Sequence, residues 1–301
     1  MKIAFIINPK SGTASKNSLP DIIKKNLDDK KFEQIEIVET AHRHHATELA
    51  QHFAEKGFNA VVAVGGDGTV NETARGLLHT ETALGIVPVG SGNGLARHLN
   101  IPMDAAKALQ LLNNPREERI DYGKANDHIF FCTCGPGYEA HISQVFAESS
   151  KRGLLTYIEK NLTEFFTYKP QKYRLANNEI DITLEAFILT FANASQWGNN
   201  AYIAPTASVT DGMMDIAILS QVPFIKLPEV VFSLFAKTIH KNAHIKILRA
   251  KSITLYRETE GAFQYDGEPT REGKIIRIEI VPAGLKAWTG TEKKQPFISL
   301  F

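Results

Sequence analysis

The chain has 301 residues, 43% hydrophobic and 22% charged, which is enough apolar material for a sizeable core and, on length, for two domains. Lys plus Arg number 34 against 33 Asp plus Glu, so the net charge of +1 supplies no field to gather nucleic acid, and that partner class is excluded. No run reaches the roughly 20 apolar residues that span a bilayer, and the opening stretch is too short for a signal peptide, so the expectation is a cytoplasmic protein, peripheral to the membrane.

In chain order, the apolar run Ile3 to Ile7 predicts a buried parallel strand that ends in the loop Asn8-Pro9-Lys10-Ser11-Gly12. A helix is predicted from Pro20 to Leu27, a strand from Glu33 to Thr40, and a helix from Ala46 to Lys56 that stops at Gly57. Asn59 to Val64 is a third strand, Asn71 to Leu78 a helix, and Leu84 to Val89 a fourth strand. Alternating strands and helices predict a three-layer α/β domain with a mostly parallel sheet over residues 1–124.

From Asp121 the rhythm changes. Strand-like runs follow at Phe130 to Thr133, Ile180 to Ala192, Met214 to Leu219, Ile245 to Leu248, Ser252 to Tyr256, Phe263 to Tyr265 and Ile275 to Val281. Helical stretches are expected at Gly153 to Tyr168 and Pro223 to His240. Residues 125–290 therefore read as a β-rich domain and 291–301 as a solvated tail. Cys132 and Cys134, the only two cysteines, read as buried thiols in a reducing compartment, since zinc needs about four ligands. The stretch Lys151 to Tyr168 suits either a helix lying against a membrane or domain core, and Trp197 and Phe224 to Phe235 admit the same two readings.

Chemistry concentrates in the loops. Gly65, Gly66, Asp67, Gly68, Thr69, Val70 and Asn71 stand between a buried strand and a helix, where glycines let backbone amides approach a phosphate. The pattern is neither a Walker A loop, which needs Gly-Lys-Ser/Thr, nor a dinucleotide fingerprint, whose third glycine is here Asn71. A second glycine loop, Gly90-Ser91-Gly92-Asn93-Gly94, follows the next strand, so both belong at the carboxyl edge of one sheet, where open α/β sheets bind ligands. His42-Arg43-His44-His45 reads as a polar helix start beside that edge and is assigned no metal.

Asn-Pro-x-Ser-Gly, Gly-Gly-Asp-Gly-Thr-Val-Asn-Glu and Gly-Ser-Gly-Asn-Gly-Leu-Ala-Arg together resemble the diacylglycerol kinase catalytic domain family, which includes bacterial lipid kinases and sphingosine kinases. Later landmarks extend the likeness over nearly the whole chain: Arg119 to Gly123, Gly135 to Ala140, Ala204-Pro205, Thr210 to Asp215 and Tyr265 to Pro269. The resemblance implies an N-terminal NAD-kinase/phosphofructokinase-like α/β domain and a C-terminal β-rich sandwich. It also implies ATP and Mg2+, a lipid substrate with a hydroxyl, and room for a homodimer.

By the same resemblance the nucleotide is held by Asn8, Pro9, Lys10, Ser11 and Gly12, by Thr40, by Gly65 to Asn71 and by Ser91. Glu268 is the implied general base, and Asp67 and Asp121 are the carboxylates tied to catalytic magnesium. A structural magnesium maps to Asp211 with the carbonyls of Ser208 and Met213. Phosphoryl transfer needs such parts: positioned phosphates, a hard cation and a carboxylate to take the hydroxyl proton. The residues alone read Asp266-Gly267 as a hairpin turn. Asn93-Gly94 replaces the Asn-Asp common in diacylglycerol kinases, which makes a sphingoid base a competing acceptor. An NAD kinase, which shares Gly-Gly-Asp-Gly, and a non-catalytic nucleotide-binding regulatory protein are the alternative functions.

Overall fold

The computed structural model describes residues 1–9, 11, 19–148 and 163–291. The chain forms two compact units, one from Met1 to Glu118 together with the segment from Lys286 onward, the other from Arg119 to Leu285.

In the first unit β1 (Lys2–Ile7), β2 (Gln34–Glu39), β3 (Ala60–Gly65) and β4 (Ala83–Pro88) alternate with α1 (Leu19–Asn26), α2 (His45–Glu55) and α3 (Asp67–Gly76). The strands are parallel in the order β2-β1-β3-β4. β3 and β4 are buried along their whole length, which is why their sequences are unbroken apolar runs rather than alternating ones. Two short helices, α4 (Gly94–His98) and α5 (Ala105–Leu111), follow β4. Asp104 caps α5 by accepting the Lys107 amide at 2.9 Å.

α3 starts at Asp67, earlier than the predicted Asn71. Gly66 is its extended N-cap, and Val70 N–H already donates to Gly66 C=O at 3.0 Å. The glycine motif is thus mostly the first turn of the helix rather than a loop before it.

The second unit carries β5 (Arg116–Ala125, continued from the first unit), β6 (His128–Phe130), β7 (Thr133–Gly135), α6 (Tyr138–Glu148), β8 (Gln171–Ala176), β9 (Asp181–Ala186), β10 (Ile188–Ala192) and β11 (Met214–Leu219). It continues with α7 (Leu227–Phe235), β12 (Ile245–Ala250), β13 (Ser252–Arg257), β14 (Gly261–Tyr265), β15 (Glu268–Glu272) and β16 (Ile275–Thr289). One sheet runs β12-β11-β10-β7-β14-β15; the strands β16, β13, β8 and β9 pair in that order in the other. Phe191, Met214, Ile216 and Phe263 from the first face meet Tyr173, Leu175, Leu255, Ile276 and Ile278 from the second in one buried core, so this unit is a β-sandwich. Truncating a side chain such as Phe191 to alanine costs about 3–5 kcal/mol in such a core.

Three predicted elements divide. Ile180 to Ala192 is not one strand: β9 pairs with β8 and β10 with β11, and between them the Phe187 amide turns to Leu219 C=O at 2.8 Å. Phe130 to Thr133 breaks between β6 and β7 because the amides of residues 131 and 132 leave the ladder for the Asp266 carboxylate. Pro223 to His240 shortens to α7, which a 3₁₀ turn at Phe224–Lys226 precedes and another at Ile239–Lys241 follows. Both cysteines are buried and unbridged.

The units divide a few residues before the expected boundary at 124, and the chain after Leu285 returns to the first unit. There Ala287 pairs in parallel with Leu84 of β4, Lys286 Nζ lies 2.9 Å from Glu117, and Gly290 N–H donates to Leu99 C=O at 2.9 Å. Of the earlier expectations, Lys10, Gly12, the span 149–162 and the tail from 292 lie outside the described residues.

Candidate functional site

In the first unit the described residues among those expected at the nucleotide lie at the carboxyl edge of the parallel sheet. Asn8 follows β1, Thr40 follows β2, Gly66 follows β3 and Ser91 follows β4. Asn8 N–H donates to Val64 C=O at 3.1 Å, Thr40 N–H to Ile7 C=O at 2.9 Å and Val89 N–H to Gly65 C=O at 3.0 Å, so adjacent strand ends are stitched to one another. Asn8 also donates through Nδ2 to Thr69 Oγ1 at 3.1 Å. Ser11 N–H closes a turn on Asn8 C=O at 3.1 Å, leaving Pro9 exposed within it.

The glycine motif divides into two jobs. Thr69, Val70 and Asn71 are buried and seat α3 on the sheet. Gly65 is needed for that seating, because a Cβ there would lie 2.4 Å from the Thr69 side chain. Gly66, Asp67 and Gly68 open the helix, and the first-turn amides of a helix have no intrahelical acceptor, which makes this end a cradle for phosphate oxygens.

Asp67 joins the two glycine loops. Its Oδ2 accepts Asn93 N–H at 2.8 Å and its Oδ1 accepts Gly94 N–H at 2.7 Å, so it caps α4 from another element. Burial pushes its carboxyl above the ordinary range, against the pull of those amides and of Arg97. The backbones touch behind it, since a Cβ on Gly90 would stand 2.5 Å from Gly66 Cα. Asn93, in the left-handed region at φ 54°, donates through Nδ2 to Gly90 C=O at 2.8 Å and holds the second loop closed.

Beside this edge, Glu72 accepts His44 N–H at 3.0 Å, and its own C=O accepts Thr47 Oγ1–H at 2.8 Å, pinning the start of α2 to α3. The ligand atoms of His42, His45 and Glu48 lie within 4.8 Å of one another, closer than their sequence spacing suggested. Ala41 N–H donates to His45 Nδ1 at 2.9 Å, however, which leaves the proton of the neutral ring on Nε2. A ring nitrogen carrying its proton is no metal ligand, and the rings of His42 and His45 stack instead at 4.6 Å.

In the second unit Asp266 and Gly267, at φ 47° and 83°, form a hairpin turn of the primed type between β14 and β15. Asp266 does more than turn the chain. Its carboxylate accepts the amides of Phe131 at 2.8 Å, Cys132 at 2.7 Å and Thr133 at 3.1 Å, while Gly267 N–H donates to Gln264 Oε1 at 2.9 Å. The tip is therefore rigid, and Glu268 stands exposed at the first position of β15.

Asp121 belongs to the same unit and is 2% exposed. Its two carboxylate oxygens accept Gly212 N–H and Ala283 N–H, each at 2.7 Å. This is a tie between loops. Asp211 accepts Met213 N–H at 3.0 Å and pairs with the Arg249 guanidinium, which also reaches Asp215 at 3.0 Å. Ser208 turns its hydroxyl to Thr210, 3.1 Å away.

Residues 2–125 match the family model described as the diacylglycerol kinase catalytic domain, and residues 133–289 match the YegS C-terminal NAD kinase beta sandwich-like domain. The chain belongs to the diacylglycerol kinase catalytic domain family. It is 30% identical over 233 residues to the probable lipid kinase YegS-like of Klebsiella pneumoniae strain 342, covering 75% of this chain and 76% of that one. Against the protein of the same description from Serratia proteamaculans strain 568 the figure is 29% over 248 residues, covering 80% of each. A solved diacylglycerol kinase structure from Bacillus anthracis strain Sterne shares the fold, with a TM-score of 0.72 at 21% identity over 96% of this chain and 97% of that one.

Magnesium is implied for this kinase family, and its two expected sites differ in fit. Asp67 fits: its carboxylate accepts three backbone amides against about four acceptor sites, so one stays open, and a cation would offset the cost of its burial. The set Ser208, Asp211 and Met213 does not fit. Its one carboxylate is already paired with the Arg249 guanidinium, which supplies the local neutralising charge. Asp121 also accepts amides on both oxygens, but at 2% exposure it is shut away from solvent and acts as a loop tie.

One residue escaped the sequence reading although its motif, Gly135 to Ala140, was recognised. Glu139, in the first turn of α6, lies inside the sandwich unit, where Thr190 Oγ1–H donates to it at 2.9 Å and Gln264 Nε2–H at 3.3 Å. Burial pushes its carboxyl up to about 8, against the pull of Thr190, Gln264 and Trp197. The signal available was a carboxylate placed directly behind two glycines and an aromatic; its burial was not visible.

Two outcomes follow from this geometry. Gly90→Ala, which drives a methyl into Gly66, should weaken ATP binding by about tenfold, or about 1.4 kcal/mol, in titration calorimetry while circular dichroism stays unchanged. Folded Glu139 holds its proton to about pH 8, whereas an unfolded chain releases it near 4.5, so the buried carboxyl makes stability fall as pH rises between those values. Thermal melts across that interval should show the slope in wild type and its flattening in Glu139→Gln.

Proposed function

We propose that this protein is an ATP-dependent lipid kinase, transferring the γ-phosphate to a hydroxyl of a membrane lipid. The observation that carries the reading is the pair of glycine loops held backbone to backbone at the sheet edge by Asp67. Such an arrangement brings amides, not side chains, to phosphate oxygens, and it is built before the ligand arrives. Much of the catalysis of phosphoryl transfer is positioning of this sort together with electrostatic stabilisation.

In the reaction the acceptor hydroxyl oxygen forms a bond to the γ-phosphorus, the bond from that phosphorus to the ADP oxygen breaks, and the hydroxyl proton passes to the Glu268 carboxylate. Glu268 suits this role because it is exposed while its turn is immobilised by Asp266. Magnesium, when bound with ATP, offsets the charge of the β- and γ-phosphates. Asp67 keeps the loops that receive those phosphates in register. The acceptor is a lipid bearing a hydroxyl; the glycine at position 94, whose amide serves Asp67 and which brings no carboxylate, keeps a sphingoid base beside diacylglycerol as the competing choices. Such a substrate calls for peripheral contact with the membrane; among the described residues no helix is long and apolar enough to cross one.

The test is transfer of labelled γ-phosphate to diacylglycerol, monoacylglycerol, phosphatidylglycerol, ceramide, sphingosine and NAD. One lipid should take the label, and Asp67→Ala should lose it. Label on NAD alone would instead identify an NAD kinase, and no label with retained nucleotide binding would identify a non-catalytic binder. Glu268→Gln should keep ATP affinity and lower the transfer rate by roughly 100-fold or more, the scale that general-base catalysis supplies; an unchanged rate removes Glu268 from the mechanism.

A further inference from the structure

A surface helix normally turns its apolar stripe to the core and its polar face to water. α7 is apolar on both faces. Val230 and Ser233 are its buried residues, and Val230 sits on a core that includes Phe187, Leu219 and Ile239. Pro228, Val231, Phe232 and Phe235, which recur at helical spacing, face away from that core and are exposed.

The 3₁₀ turn before α7 continues the surface. Phe224 is 61% exposed and Ile225 85%, with Phe232 at 73% and Phe235 at 55%. Phe166, 64% exposed, joins from another part of the chain with its ring 5.2 Å from that of Phe224. An apolar group of this size, gathered from a turn, a helix and a separate segment, marks a contact surface rather than scattered exposure.

The charge around it says which contact. Between Gln221 and Lys241 stand Lys226, Lys237 and Lys241 against Glu229, three positive to one negative, a net of +2. Glu229 is engaged by Lys226 at 3.1 Å and by Asn242 at 3.4 Å. Lys237 leans over the Tyr202 ring at 4.4 Å. Bulky apolar side chains bordered by lysines match an anionic bilayer, whose headgroups attract the lysines while the apolar side chains enter the acyl boundary. A second copy of the chain fits less well, because a two-fold contact through this patch would bring together two surfaces of the same net positive charge.

We propose that the exposed face of α7 with the Phe224–Lys226 turn docks the protein on anionic bilayers, Phe224, Ile225 and Phe232 entering the interface and Lys237 and Lys241 meeting the headgroups. This deepens the lipid-kinase reading and rests on it for why the protein must meet a bilayer at all. The surface itself is read without reference to catalysis.

The experiment is sedimentation of the full chain with vesicles of phosphatidylcholine alone or mixed with phosphatidylglycerol. Wild type should bind the mixed vesicles more tightly than the neutral ones, and less so at high salt. Ile225→Asn with Phe232→Asn should weaken binding to the mixed vesicles by about tenfold or more, and Lys237→Glu with Lys241→Glu should remove the preference for anionic lipid. All these positions are exposed, and circular dichroism checks that both variants remain folded. Binding that is equal in wild type and the Asn variant overturns the proposal. So does a wild-type dimer in size exclusion that the Asn variant converts to monomer without change in vesicle binding. Transfer to a short-chain acceptor dissolved below its micelle concentration should be the same in wild type and both variants, so failure of the kinase reading shows in that arm while the vesicle arm still judges the surface.

Discussion

A carboxylate holding two peptide loops in contact is the constraint on which the nucleotide end of this protein depends. Asp67 sits in the first turn of α3, yet both its oxygens serve the start of α4. Without it, the two glycine loops would be separate strand-to-helix turns with no common geometry. With it, the amides at Asn93 and Gly94 are satisfied, and their hydrogen bonds offset part of the cost of burying the charge. Gly90 then has to be a glycine, because a Cβ there would stand 2.5 Å from Gly66 Cα.

The sandwich unit uses the same device. Asp266 accepts three backbone amides and stiffens the hairpin that presents Glu268, and Asp121 accepts amides from Gly212 and Ala283. A short aspartate can reach backbone donors that would otherwise be unpaired where strands end, and a charged acceptor makes those hydrogen bonds stronger than neutral ones. Asp121 is engaged by the chain's own amides, and the cation paired with Asp211 is an arginine. Glu139 differs: it is buried among neutral hydrogen-bonding groups, and burial holds its proton in place up to about pH 8.

The amino-acid sequence by itself determined the alternating α/β order of the first unit, the buried strands and the glycine loops at one sheet edge. Each of these is a local signal: a continuous apolar run, a helical period, a glycine where the chain must turn closely. The family was legible for the same reason, since its motifs are contiguous stretches such as Gly65 to Glu72. The start of α3 at Asp67 and the separation of β9 from β10 were not legible, because each depends on which distant carbonyl or amide the chain meets.

Tertiary structure alone decided the partners of the charges. Asp67 is paired with amides 26 and 27 positions along the chain, Asp266 with amides more than 130 positions away, and Asp211 with an arginine 38 positions on. No periodicity encodes such distances, and whether a carboxylate is a ligand, a base or a clamp turns on what stands within hydrogen-bond reach of it. The outward stripe of α7 is a further case: the spacing in the sequence marks Val231, Phe232 and Phe235 as one face of a helix, but only the packing of Val230 against the core shows that this face is left to solvent.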